Sequence, residues 1–238
     1  STITADGTIG GTSTGQITLA GVTINDGVTL TLGAGAASPV SAGAIQGVAG
    51  GAASNITINV ADDVANPMVQ IASIGTDIGT VTVTQSSGVT VTGTVNAGTV
   101  TLTDTRDGQT IDFQGGVTIG TLNTAAQGYN VAFNTGAGGQ SSTITNTVTF
   151  NNTGTLTLGN AAGDSITFTG GVVATAPSSK SIGGTVAASG AGVINFGTTG
   201  STITADGTIG GTSTGQITLA TVTINDGVTL TLGAGAAS

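Results

Sequence analysis

The chain has 238 residues, of which 5% are charged and 3% aromatic, with 43 glycines and no Trp, Cys or His. A mean hydropathy of +0.38 with recurrent Val, Ile, Leu and Thr excludes disorder, which goes with low hydrophobicity and high net charge. The formal charge of −9, from 11 Asp and no Glu against Arg106 and Lys180, argues against nucleic acid as a partner, because phosphate binding needs clustered cations.

Residues 1–38, STITADGTIGGTSTGQITLAGVTINDGVTLTLGAGAAS, recur at 201–238 with one change, Gly21 to Thr221. Such identity in surface turns is the mark of tandem duplication. The chain therefore reads as one 200-residue period, residues 1–200, followed by the start of the next, residues 201–238. Ser1 opens directly into Thr2-Ile3-Thr4 without an export signal, so any signal or anchor is expected outside this piece. The uncharged stretch that follows Gly27 holds too few large apolar side chains for a spanning helix, and no direct membrane insertion is expected.

Further along, Ala61-Asp62-Asp63-Val64-Ala65-Asn66-Pro67 reads as a loop. Thr80–Thr84, Thr99–Thr103, Thr147–Phe150 and Thr155–Leu158 alternate Thr with Val, Leu or Phe, which predicts strands with the apolar face inward. Asp6-Gly7, Asn25-Asp26-Gly27 and Asp107-Gly108 punctuate the chain as turns. Phe113, Phe133, Phe150, Phe168 and Phe196 each close an alternating run and are spaced 20, 17, 18 and 28 residues apart. The phrase GQTIDFQGGV (108–117) returns as GDSITFTGGV (163–172), identical at six of ten positions. Together these suggest one structural slot revisited on every coil, with about 20 residues per rung.

The expected fold is all-β, a parallel β-solenoid. A sandwich would need larger inward side chains to fill its core, and this chain has a single Tyr, Tyr129. A solenoid core is narrow, and like side chains stack on like at roughly 4.8 Å per rung. On that reading one 200-residue period holds nine or ten rungs, or about 45 Å of rod. Asp-Gly steps also suit hairpin turns, which leaves an antiparallel β-sandwich or meander as the alternative.

The phrases GVTLTLGAG (27–35), VTIGTL (117–122), GTLTLGN (154–160) and ITFTGGV (166–172) resemble the passenger domains of autotransporters and the giant repeat adhesins of bacterial surfaces. The resemblance spans essentially the whole chain and lies in composition and phrasing, so no functional residue is carried over with it. It implies a right-handed β-helix exported through the outer membrane, at the cell surface or in the extracellular space.

With His, Cys and Glu absent, Ser-His-Asp triads, thiol nucleophiles, disulfides and His- or Cys-based metal sites are excluded. Asp pairs are what remains for catalysis: Asp62 with Asp63, and Asp104 with Asp107 beside Arg106. Turn-building is the expected role of all four. Calcium-binding β-roll repeats are missing, since Gly10-Gly11 and Gly138-Gly139 lack the Asp that would follow. Thr-x-Thr runs could order water as ice does, but their irregular spacing does not predict that they fall on one side of successive rungs. Lys180 has no Glu to promote an isopeptide cross-link, and Asn55-Ile56-Thr57 and Asn151-Asn152-Thr153 match the glycosylation sequon.

No enzyme activity, catalytic residue, cofactor or metal is therefore expected. The expected function is a structural and adhesive surface rod or fibre. Self-association is its foremost partner class, and a receptor or glycan on a host or neighbouring cell comes after it. The alternative is a carbohydrate-active β-helix enzyme or a tailspike-like polysaccharide-binding protein.

Overall fold

Alternation puts Val, Ile or Leu on one face of each short strand and Thr, Asn or Ser on the other. Each strand satisfies its backbone groups by lying in register on the strand one coil earlier. The computed structural model describes residues 1–12, 14–62 and 68–233, and among these there is no helix. Every strand pairing among them is parallel, which removes the antiparallel sandwich or meander. The molecule is a β-solenoid of about 10 turns with about 23 residues per turn. The coil is thus longer than the expected 20.

Each coil has three sides. Side I begins at Thr2–Ile3 and Val22–Ile24, side II at Gly7–Ile9 and Thr29–Leu32, and side III at Ile17–Leu19 and the first half of Val40–Gly47. Paired residues lie between 19 apart, at Thr80 and Thr99, and 29 apart, at Val40 and Val69. Turns absorb that variation, so the strands stay in step while coil length drifts.

The 200-residue period and the coil do not match. Side I can be followed from Thr2 through Thr23, Ile45, Ile74, Val95, Val117, Ile144, Phe168 and Ala188 to the strand that carries Gly207, nine coils in all. Gly207 is the repeat counterpart of Gly7, which sits on side II. One period is therefore nine coils less one side, or eight and two-thirds, just under the roughly nine or ten rungs expected. Sequence-identical strands in the two copies occupy neighbouring sides.

Inside runs a continuous apolar column, which includes Ile24, Leu32, Ile45, Ile56, Val81, Val100, Leu122, Val131, Phe133, Leu156 and Phe168. Phe113 and Phe133 are paired on side III, with ring centroids 5.1 Å apart and nearly parallel. Phe133 and Phe150, at 6.3 Å, and Phe150 and Phe168, at 6.1 Å, meet edge to face. Four of the five rings form one axial stack, but not in one slot: Phe168 lies on side I, and Phe150 directly follows the side II strand Val148–Thr149. They meet because the interior is only one or two side chains wide.

Candidate functional site

Short carboxylates are used to tie one coil to the next. Asp6 Oδ1 accepts from Thr29 N–H at 2.8 Å, and its repeat counterpart Asp206 accepts from Thr229 N–H at 2.7 Å. Buried Asp164 accepts from the N–H groups of Gln140, Asn160 and Ala161, all at 2.8–2.9 Å. Asp107 Oδ1 takes Gly128 N–H at 3.1 Å. A Glu would overshoot such a rung-to-rung reach, which gives the Asp-only composition a physical reason.

Of the expected acid pairs, Asp63 lies outside the described residues. Asp62 and Asp107 both come near enough to Asp104 to act on its charge. The Asp104 carboxyl is held above its ordinary value, mainly by burial, partly offset by the Thr105 N–H it accepts at 2.8 Å, with Asp62 and Asp107 adding to the rise. This group sits on the corner between sides II and III, where Ser86 and Thr105 share a buried hydroxyl contact of 2.7 Å. Surface depressions lie elsewhere. One is lined by Thr185, Asp206, Thr208 and Thr229, and two others by Ser41 and Gln70 with neutral neighbours. None of these brings two carboxylates together.

Lys180 turns inward. Its ladder position is occupied by Val131 and Leu156 in the two coils before it, and it is 2% exposed. The ammonium donates to Thr199 Oγ1, and loss of water holds its pKa below the ordinary lysine range. Its partner on the following coil is Ser201, 3% exposed, whose hydroxyl has no hydrogen-bond partner. A free serine hydroxyl beside a lysine of lowered pKa has the chemistry of a nucleophile, yet burial of both leaves no path for a substrate. Parity could have placed Lys180, since it alternates in phase with Ile182.

Side II carries two uncharged outward columns. Thr8, Thr31, Thr57, Thr82, Thr101 and Asn123 form one outward column, and Thr29, Asn55, Thr80, Thr99 and Thr121 form a second beside it. Neither column contains a charge. Thr29–Thr31, Thr80–Thr82 and Thr99–Thr101 fall on this one side, which their spacing did not predict, whereas Thr155–Thr157 lies on side III. Cross-coil bonds from Asn side chains extend the pattern, such as Asn146 Nδ2 to Thr121 Oγ1 at 2.8 Å.

In the first copy Ile24 and Leu32 are fully covered by the next coil, whereas Ile224 and Leu232 in the second copy are 46% and 55% exposed. Among the described residues, strands Ile217–Leu219, Val222–Ile224 and Leu230–Leu232 pair with the coil before them.

No protein family, no characterised protein and no solved structure matches this chain.

Proposed function

We propose that the chain is a length of a bacterial cell-surface or extracellular rod whose work is display and contact. The observation that carries this reading is the division of labour among its residues. Apolar side chains form the axial column, carboxylates bracket successive coils, and the outward positions are held mostly by Thr, Asn, Ser, Gln and Gly. Nothing on such a surface needs a cleft, and each added coil covers the apolar end of the last. The phrasing shared with autotransporter passengers and repeat adhesins supports the same role. Contacts with further copies come first among its partners, ahead of a receptor or glycan on another cell.

Two measurements test the reading. Antibodies raised against the purified protein should label intact, unpermeabilised producer cells, and electron microscopy should show thin rods. Labelling confined to permeabilised cells would overturn surface display, and compact particles would overturn the rod.

The two Thr columns of side II favour a second reading, a face that holds an ordered layer of water and binds ice. Coils about 4.8 Å apart and alternate residues about 6.7 Å apart would space the mostly hydroxyl side chains regularly in two directions. Thermal hysteresis in the purified protein, abolished by Thr82→Lys, would support it. Freezing behaviour equal to that of an inert protein would remove it.

A further inference from the structure

Burial closes Ser201 to outside substrates, but not to the one carbonyl that needs no path, that of its own peptide bond. Ser201 is covered by Val222 of the next coil, and its hydroxyl has no hydrogen-bond partner. Gly200, which supplies the carbonyl, is exposed. That carbonyl oxygen accepts Lys180 N–H at 3.1 Å, and Ser201 N–H donates to Thr221 O at 2.9 Å. The bond is thus gripped from the coil before and the coil after, with a donor already on the oxygen that would take up negative charge.

The turn leading into this bond is strained. Thr198 has φ of 79°, a left-handed conformation that a β-branched residue rarely adopts. Hydroxyl bonds pin it there: Thr198 Oγ1 donates to Thr175 O at 2.7 Å, and Thr199 Oγ1 to Pro177 O at 2.6 Å. Lys180 Nζ reaches the same turn through Thr199 Oγ1, and Lys180 is the ladder partner of Ser201. Its ladder neighbour on the other side is Leu156, and burial alone shifts its amine toward the neutral form.

We propose that Ser201 cleaves its own chain at the Gly200–Ser201 bond, with Lys180 as the base. Ser201 Oγ attacks the Gly200 carbonyl carbon while its proton passes to the Lys180 amine. The C–N bond then breaks, the nitrogen takes the proton from the ammonium, and Gly200 is left as an ester on the Ser201 side chain. Water at the exposed Gly200 hydrolyses the ester, which frees a Gly200 carboxylate and restores the hydroxyl on a new amino-terminal Ser201. Breaking the bond releases the turn, so the strain at Thr198 favours the products. Where the 200-residue period repeats, the bond repeats with it, and the rod becomes a stack of pieces held by their coils. The rod reading stands whether or not the chain cuts itself.

Intact-mass spectrometry of the purified protein tests this. Incubated at mildly alkaline pH with hydroxylamine, which intercepts esters, the protein should yield residues 1–200 ending in a Gly200 hydroxamate, together with residues 201–238. No Asn–Gly bond, another site of hydroxylamine attack, occurs in the chain. Without hydroxylamine the same cut should appear more slowly and end in a Gly200 carboxylate, at a rate that rises with pH as Lys180 loses its proton. Ser201→Ala and Lys180→Met should lose both products, and Ser201→Cys should keep them by way of a thioester. A wild-type chain of unchanged mass under hydroxylamine, or cleavage that persists in Ser201→Ala, would overturn the proposal.

Discussion

Lys180 is the residue most at odds with its surroundings. A primary ammonium takes the place of Val131 and Leu156 in the core column and has one hydroxyl for company. Because the folded chain holds that proton less tightly than the unfolded chain, stability rises with pH from the folded pKa up to the ordinary lysine value of about 10.5. Tyr129 has the opposite sign. Burial pushes its phenol up to about 12, so its contribution is full below pH 10 and is lost as pH climbs through about 12. Between the acid range, where Asp104 titrates, and pH 10 the lysine effect is separate from that of the tyrosine. Lys180→Met should therefore stabilise the protein by ~1 kcal/mol at neutral pH and flatten the rise below pH 10. Denaturant melts at several pH values check both, and a destabilised Met variant would refute the account.

Asn134 is the opposite case, a polar residue that the core requires. It is buried with φ of 55°, donates to Gln140 O at 3.2 Å and Ser165 O at 3.0 Å, and accepts Ser142 Oγ at 2.6 Å. Ser142 Oγ in turn accepts Val117 N–H at 2.9 Å, so one side chain ties three coils together. Asn134→Ala should cost about 2–3 kcal/mol, part in left-handed strain and part in orphaned polar groups. Asn134→Gly relieves only the strain and should recover less than half of the loss in the same melts.

At the scale of the strand and its corner, the sequence is a good guide to local structure and a poor one to position. Alternation in Thr80–Thr84, Thr99–Thr103 and Thr155–Leu158 identifies strands and their inward faces correctly. The side a strand occupies is not written in its residues. The matched phrases 108–117 and 163–172 run from side III to side I in one instance and from side I to side II in the other. Phenylalanine spacing failed as a ruler for the same reason, since the rings reach one axis from different sides. The Thr columns of side II were hidden because turns of unequal length lie between their members, and turn length has no periodic signature.

Some corner glycines do carry positional information. Gly98 and Gly120 interrupt strands that pass from side I to side II, in VNAGTVTL and VTIGTLNT. A Cβ on Gly98 would come within 2.8 Å of the Gly79 carbonyl oxygen, and one on Gly120 within 2.7 Å of that of Gly98. The chain must be bare there for coils to approach closely. Gly120→Ala should cost about 1–3 kcal/mol, and Gly138→Ala, which meets no atom within 4 Å, distinctly less despite its positive φ. Equal losses in thermal melts would mean that stacking at this corner is not tight.

At the scale of the whole molecule, the mismatch between a 200-residue period and a coil of about 23 residues decides how repeats present themselves. A duplicated unit can be inserted wherever its first strand meets an apolar-inward strand below it, and all three sides satisfy that condition. Nothing selects for a whole number of coils. Any feature that occurs once per period must then appear on successive sides of the rod and return to its starting side after three periods, which is 26 coils or about 125 Å. A rod so built offers the same contact in every direction, whereas a commensurate one would offer it along a single stripe and favour lateral sheets over free fibres. A tandem protein of six periods, each carrying one epitope for a monovalent antibody fragment, makes the difference visible. Fragments should project at axial steps of about 42 Å from three sides in turn, and a single row of fragments along one side would show that the period closes on whole coils after all.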